Sequence, residues 1–161
     1  MKDLNHAINS VLFVCLGNIC RSPTAHAVFR QKAIAAKLPT KYDSAGTANY
    51  HSGATPDKRS RKHGESRGYD FSNLYARSVN DNDFEDYDLI LAMDSANYQD
   101  LIQQCPHYYH DKIKYFLDFA TDFPTVQEVP DPYYGGDKGF EYVLDLVENA
   151  CDGLITYIES H

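Results

Sequence analysis

Two periods of apolar residues alternate along the chain, which predicts strands and helices in turn. Short apolar runs at residues 11–14 and 89–93 predict buried strands. Longer segments carry apolar residues three and four positions apart, as amphipathic helices do. Strands are predicted at residues 11–15, 40–46, 89–93 and 112–116, and helices at residues 22–37, 56–64, 95–103 and 139–159.

This alternation indicates an α/β fold, in which a mostly parallel sheet carries helices on both faces. Ligands of such folds bind beyond the carboxyl ends of the strands. Two segments are predicted at that edge, the loop at residues 16–21 and the long loop at residues 117–137. A loop as long as the second one, without elements of its own, is usually functional or disordered. These two loops are therefore the first candidates for a site.

The length of 161 residues suits one domain, with residues 1–10 as a frayed lead-in to the first strand. A net charge of −8 argues against nucleic-acid binding through bulk electrostatics. No apolar run approaches the ~20 residues that cross a bilayer, and the N-terminus lacks a secretory-signal pattern. We therefore expect a cytoplasmic protein without a membrane span, and export that needs no signal peptide stays open.

The four cysteines, without a secretion signal, argue against a structural disulfide framework. Their spacing fits no zinc pattern, so no metal is expected. Cys105 and Cys151 lie in or near helical patterns and are interpreted as structural. Cys15 and Cys20 share the loop after the first strand.

A cluster of basic residues stands out in this acidic chain. The cluster is either a solvated helix face, as charge runs usually are, or a positive rim beside an anionic substrate. Its members are Lys58, Arg59, Arg61, Lys62 and Arg67.

The loop after the first strand has the layout of an anion site. Cys15 ends the strand, and Ser22 and Pro23 stand where an N-cap and a first helical residue are expected. Backbone N–H groups and the helix dipole converge at such a junction, which also favours the thiolate form of a cysteine there. Arg21 can hold a phosphate through two parallel hydrogen bonds.

The bare spacing between Cys15 and Arg21 is weak support, and a buried strand-end thiol is the plain alternative. Gly17 and Asn18 strengthen the interpretation, because a loop that wraps an anion needs permissive backbone angles. All features agree on one geometry, which favours phosphate or a similar oxyanion.

A thiolate that attacks a phosphate ester needs a general acid for the leaving oxygen. Asp131 is the best candidate, because the flanking Pro130 and Pro132 hold it extended. Tyr133 and Tyr134 beside it could wall an aromatic leaving group. The alternative is a simple surface turn, since Asp, Pro and Gly are turn residues.

The stretch VLFVCLGNICRSPTAHAVF resembles the N-terminal signature of the low molecular weight protein tyrosine phosphatases. DPYY resembles their general-acid loop, and LILAMDSANYQDL resembles their third strand and the helix after it. The resemblance implies a small four-stranded parallel sheet flanked by helices, with a phosphate-binding loop between the first strand and the first helix. It implies a monomeric enzyme that hydrolyses phosphotyrosine in proteins or peptides, without metal or cofactor. Phosphate is the expected product and inhibitor.

The same resemblance implies a role for each matching residue. Cys15 would be the nucleophile that forms a phosphocysteine, Arg21 would bind the phosphoryl group, and Asp131 would act as general acid and then as base. Ser22 would hydrogen-bond the Cys15 thiolate. The anion cradle would be completed by backbone N–H groups of Leu16, Gly17, Asn18, Ile19, Cys20 and Arg21.

The resemblance also implies support and specificity. Asn18 would hold the loop in its strained shape, and Ser44 would support Asn18. Tyr50 would stack on the substrate ring from one side, with Tyr133 and Tyr134 as the opposite wall. A deep slot between aromatic rings favours phosphotyrosine over the shorter phosphoserine.

Three questions stay open at this stage. Many members carry a histidine at the position of Leu74, so Asn18 is expected to be held by Ser44, backbone or water instead. Cys20 either forms a reversible disulfide with Cys15 or is a small buried side chain that shapes the loop. Ile19 and the aromatic walls favour phosphotyrosine over phosphoarginine.

Two other functions are alternatives to phosphotyrosine hydrolysis. A thiol-linked arsenate reductase on the same fold needs further cysteines soon after the third strand, where this chain has Met93 and Asp94, and Cys105 stands alone. A non-catalytic phosphotyrosine-binding module has no support from the sequence, because nucleophile, arginine and acid are all present.

Overall fold

The computed structural model describes residues 7–132 and 135–161, and it contains a four-stranded parallel sheet in the order β2-β1-β3-β4. The strands are β1 (Ser10–Cys15), β2 (Lys41–Gly46), β3 (Leu89–Ala92) and β4 (Ile113–Tyr115). The helices are α1 (Arg21–Ala35), α2 (Lys58–Ser66), α3 (Asp81–Asp86), α4 (Ser95–Gln104) and α5 (Gly136–Glu159). Short 3-10 helices cover His107–Lys112 and Phe116–Phe119. The predicted α/β fold is confirmed.

Strand β1 forms the centre of the molecule, and all six of its residues are buried. Val11 and Phe13 join the core cluster that contains residues of α1 and α5. Leu12 and Val14 join the second cluster, which contains residues of α3 and α4. Alternate side chains of a strand point to opposite faces, so β1 is covered on both sides and reads as one continuous apolar run.

The helix starts differ from the sequence prediction where a cap decides them. Helix α2 begins at Lys58 because Asp57 accepts hydrogen bonds from the N–H groups of Arg59 and Ser60. Helix α3 lies where no element is predicted, between the second predicted helix and the third predicted strand, and a capping box between Asn80 and Asp83 starts it. Both caps satisfy N–H groups that a helix start leaves open.

The remaining differences are at helix α4 and around the long loop. Helix α4 ends at Gln104, one residue beyond the predicted end, and Asp94 caps its start through the N–H of Asn97. The segment predicted as a loop at residues 117–137 contains most of a 3-10 helix and the start of α5, which begins three residues before the predicted position 139.

The carboxyl ends of the strands converge around Cys15. Val14 pairs with Ala92, and the N–H of Met93 donates to the carbonyl of Val14. On the other side, the N–H of Thr47 donates to the carbonyl of Cys15. The loop after β1 therefore emerges between the ends of β2 and β3. Within the described residues, no helix is long and apolar enough to cross a membrane.

Candidate active site

Helix α1 starts at Arg21, one residue before the predicted N-cap Ser22. Cys20 occupies the N-cap position, and no side chain caps the helix. The N–H groups of a first helical turn have no partners inside the helix, so they remain open toward the loop. Pro23 stays within this first turn, where its missing N–H costs nothing. The Ser22 hydroxyl is thereby released for a contact inside the loop.

The thiol of Cys15 lies buried at the floor of the loop, with only 3% of the residue exposed. Its Sγ is 3.0 Å from Oγ of Ser22, and the N–H of Asn18 donates to it over 3.2 Å. Hydrogen bonds to the charged form favour that form. The arrangement therefore suits a thiolate.

Asn18 fixes the bend of the loop. Its φ of 57° is in the left-handed region, which asparagine tolerates better than most residues. Its Nδ2 donates to Ser22 Oγ over 2.8 Å, and its Oδ1 accepts from the backbone N–H of Arg77 over 3.0 Å. The side chain thus joins α1 to a distant segment, and the loop is held from both sides.

Of the supports expected for Asn18, namely Ser44, backbone or water, the structure shows a backbone group and no bond to Ser44 within the described residues. Oγ of Ser44 lies 3.0 Å from Nδ1 of His26, and Asn18 bonds Ser22 and Arg77 instead. Ser44, Asn18 and Leu74 line the same narrow gap. Leu74 is buried and apolar and offers Asn18 no hydrogen bond, whereas the backbone N–H of Arg77 donates to it.

His26 is a buried histidine next to this support. Burial lowers the pKa of His26 to about 4, although the Asp43 carboxylate at 4.0 Å acts in the opposite direction. The ring is therefore neutral near pH 7, and it pairs with the Ser44 hydroxyl without a charge. His26 is not among the predicted site residues.

Arg77 is held firmly, which explains how its backbone can position Asn18. Its guanidinium donates to both carboxylate oxygens of Asp83, over 2.9 and 3.1 Å, and to Asp43 over 3.1 Å. Its carbonyl accepts from the N–H of Gly46 at the end of β2. Its side-chain partners Asp43 and Asp83 lie 34 positions upstream and six downstream, so spacing alone does not predict them.

Arg21 joins the loop to two other segments. Its Nη1 donates to Asp94 Oδ2 over 2.7 Å and to the carbonyl of Val129 over 3.0 Å. Within the described residues these bonds use Nη1, so the rest of the guanidinium can face an oxyanion. The other oxygen of Asp94 caps α4 through Asn97. Asp94 is not among the predicted site residues, although its position directly after the apolar run at residues 89–93 was a usable signal.

Val129, two residues before Asp131, is bonded to Arg21 of the anion loop and to Met93. The N–H of Val129 donates to the carbonyl of Met93, and its carbonyl accepts from Arg21. Asp131 follows two residues later and is exposed. Two residues of chain span at most ~7 Å, which limits how far the Cα of Asp131 can lie from that of Val129. Tyr133 and Tyr134 lie outside the described residues.

The rim of the loop is partly apolar. Leu16 and Tyr50 are 47% and 75% exposed and line one surface groove. A Cβ on Gly17 would lie 3.0 Å from the ring of His51, so glycine allows this close approach. Ile19 is half-buried, and its carbonyl accepts from the N–H of Asp57 over 2.8 Å.

The other cysteines are buried in different places. Cys20 is buried at the start of α1. Cys105 belongs to the second core cluster and Cys151 to the first, and burial raises the pKa of both thiols. Their burial agrees with the structural interpretation of these two residues. Among the described residues, no group of three or more His, Cys, Asp or Glu side chains is placed to hold a metal ion.

Comparisons with known proteins agree with this geometry. The family model described as low molecular weight phosphotyrosine protein phosphatase matches residues 10–161. The chain is 40% identical to low molecular weight protein-tyrosine-phosphatase YfkJ of Bacillus subtilis, over 93% of this chain and 96% of that protein. It is 39% identical to the human low molecular weight phosphotyrosine protein phosphatase, over 90% and 92%. A crystal structure of a protein tyrosine phosphatase from Entamoeba histolytica matches with a TM-score of 0.89 and 49% identity, over 94% and 97%.

Proposed function

The chain belongs to the low molecular weight phosphotyrosine protein phosphatase family of cysteine-dependent hydrolases, and we propose that Cys15, Arg21 and Asp131 carry out its reaction. The observation that supports this assignment best is the position of Arg21. It lies in the anion loop with Cys15 and bonds the carbonyl of Val129, two residues before Asp131. One guanidinium thus links the nucleophile loop to the acid loop.

In the first step, the Cys15 thiolate attacks the phosphorus of phosphotyrosine. The bond from phosphorus to the tyrosyl oxygen breaks, and Asp131 gives that oxygen its proton. Arg21 and the backbone N–H groups of residues 16–21 hold the other phosphoryl oxygens, where charge develops in the transition state. The products of this step are tyrosine and a phosphocysteine.

In the second step, the Asp131 carboxylate takes a proton from water as the water oxygen attacks the phosphocysteine. The bond from sulfur to phosphorus breaks, and inorganic phosphate and the Cys15 thiolate result. The hydrogen bonds from Ser22 and from the N–H of Asn18 stabilise the leaving thiolate. Because phosphate fits the same cradle, we expect it to inhibit.

We propose tyrosine-phosphorylated proteins or peptides as substrates. The relatives are named as phosphotyrosine phosphatases, which supports this proposal. So do the exposed ring of Tyr50 and the exposed side chain of Leu16 at the rim. Phosphoarginine is the nearest other phosphate donor. A reductase would need a second reactive cysteine, and Cys105 lies in a core cluster. No observation favours a silent binding module.

The test is turnover of phosphotyrosine, phosphoserine and phosphoarginine peptides by the wild type and two variants. We expect Cys15→Ser to abolish turnover. Asp131→Asn should slow phosphotyrosine hydrolysis about 10²–10⁴-fold, the usual contribution of general acid catalysis. A smaller loss with p-nitrophenyl phosphate is expected, since that leaving group needs less protonation. A wild type that releases no phosphate from the phosphotyrosine peptide would refute the proposal.

We also propose that Cys20 protects Cys15 from irreversible oxidation. Peroxide would convert the Cys15 thiolate to a sulfenic acid, and the Cys20 thiol would displace water to form a disulfide. A thiol reductant would restore both thiols. Both residues are buried in one loop, which supports this proposal. Cys20→Ser should recover less activity than wild type after peroxide and reductant, and equal recovery would argue against it.

We further propose that residues 1–161 form one phosphatase domain that works as a cytoplasmic monomer. The free thiols of Cys15, Cys105 and Cys151 fit a reducing compartment. Cell fractionation and sedimentation test location and oligomeric state, and limited proteolysis tests the single domain.

A further inference from the structure

One exposed face of helix α2 concentrates positive charge. Lys58, Arg61 and Lys62 lie three and four positions apart, so they share one side of the helix. Together with Glu65 and Ser66 they line a shallow surface depression of about 450 Å³. We call these three cations the basic face.

The charge of the basic face is poorly neutralised. Lys58 and Lys62 are exposed, and no ion pair of theirs is found within residues 7–132 and 135–161. Arg61 makes only a loose pair with Glu65, at 3.8 Å. By contrast, the neighbouring Arg67 is surrounded by three carboxylates of α5. In a chain with a net charge of −8, this is a local positive field that attracts anions.

The basic face begins at the rim of the active site. The N–H of Asp57, the N-cap of α2, donates to the carbonyl of Ile19 in the anion loop over 2.8 Å. A helix rises 1.5 Å per residue, so Lys58 to Lys62 cover about 6 Å along the axis. An extended peptide advances about 3.3 Å per residue. A substrate held at Cys15 could therefore present residues two to four positions from its phosphotyrosine to this face.

We propose that the basic face docks acidic residues that flank the phosphotyrosine of a polypeptide substrate. This inference rests on the proposed function, and it specifies the substrate class: phosphotyrosine within an acidic sequence. Each exposed charge pair contributes modestly. Such a pair lies away from the reacting atoms and is made equally before and during the reaction, so it lowers KM and leaves kcat unchanged. Electrostatic attraction of this kind also weakens with salt.

The experiment measures kcat and KM for three phosphotyrosine peptides. One is neutral, one has Asp or Glu two to four positions before the phosphotyrosine, and one has them two to four positions after it. We expect wild type to prefer one acidic peptide over the neutral one by roughly tenfold in kcat/KM at low salt, mainly through KM. Lys58→Glu/Lys62→Glu should remove this preference.

The matched control is Lys37→Glu/Lys41→Glu, which also changes the net charge by −4, from −8 to −12. Lys37 follows the far end of α1, and Lys41 begins β2 at the edge of the sheet away from Cys15. Both lysines are exposed. The control should keep the preference, and added salt should erode the preference of wild type.

Three results would overturn the inference. They are equal kcat/KM for all three peptides, a preference that survives in Lys58→Glu/Lys62→Glu, and a preference lost equally in the control. A wild type that hydrolyses the neutral peptide without an acidic preference refutes this inference alone. A wild type that hydrolyses none of the peptides refutes the proposed function as well.

Discussion

Protonation of His26 should destabilise the fold in a defined pH window. The ordinary pKa of 6.5 applies to the unfolded chain, and burial lowers the pKa to about 4 in the folded protein. Between these values the unfolded chain binds a proton that the folded protein does not. Stability is therefore lost as the pH falls from 6.5 toward 4, and the loss is complete near pH 4. The difference corresponds to about 3 kcal/mol, at 1.36 kcal/mol for each tenfold change in proton affinity.

The assay is urea unfolding of wild type and His26→Gln at a series of pH values from about 7 to about 4. Glutamine can keep a hydrogen bond to Ser44 but cannot titrate in this range. The other histidines and the carboxylates contribute equally to both proteins, so the difference between the two curves isolates His26. We expect wild type to lose about 2–3 kcal/mol more than the variant over this range. Parallel curves would refute the reasoning, and so would a wild type that loses less.

Three further substitutions test how the loop is built. Ser22→Ala removes a hydrogen bond to Cys15 Sγ, so we expect kcat to fall about 10–100-fold and alkylation by iodoacetate near neutral pH to slow, while unchanged rates would contradict this role. Gly46→Ala places a Cβ 2.7 Å from the carbonyl of Leu16, so we expect a loss of about 1–3 kcal/mol in urea unfolding together with reduced kcat/KM, and unchanged values would contradict the close approach. Asp94→Asn keeps a good helix cap but removes the charge that holds the Arg21 guanidinium, so kcat/KM should fall about tenfold or more while stability changes by under about 1 kcal/mol. A stability loss without a kinetic effect would contradict this role of Asp94.

The sequence predicted the parts of the site that are local in the chain. The apolar run before Cys15 and the residues after it predicted a strand, a loop and a helix start, and all three are found. The helix starts one residue earlier than predicted because the hydroxyl of Ser22 bonds the loop and does not cap the helix. A serine at a helix start serves equally well in either role, and only the folded loop decides between them.

The partners that hold the loop come from distant segments and could not be predicted from spacing. Asn18 is bonded by a backbone N–H 59 positions away, at Arg77. Ser44 was expected to support Asn18. Its hydroxyl instead lies 3.0 Å from Nδ1 of His26. Local propensity says nothing about which of two nearby acceptors a buried hydroxyl will face, since tertiary packing fixes that choice.

The predicted start of helix α2 was wrong for a related reason. The prediction started α2 at Pro56, whereas the carboxylate of Asp57 caps the helix and sets its start at Lys58. Helix α4 starts at the predicted position, and Asp94 just before it caps the helix and also binds Arg21. In both helices a carboxylate just before the start accepts the open N–H groups, and the apolar pattern alone does not show which polar residue does so.

The most direct test of the central claim is to trap the covalent intermediate. Wild type is mixed with an excess of a phosphotyrosine peptide, quenched in acid within the first turnovers, digested and analysed by mass spectrometry. The account predicts one phosphoryl group on Cys15, and none in the Cys15→Ser variant. A phosphoryl group on another residue, or turnover that survives in Cys15→Ser, would contradict it.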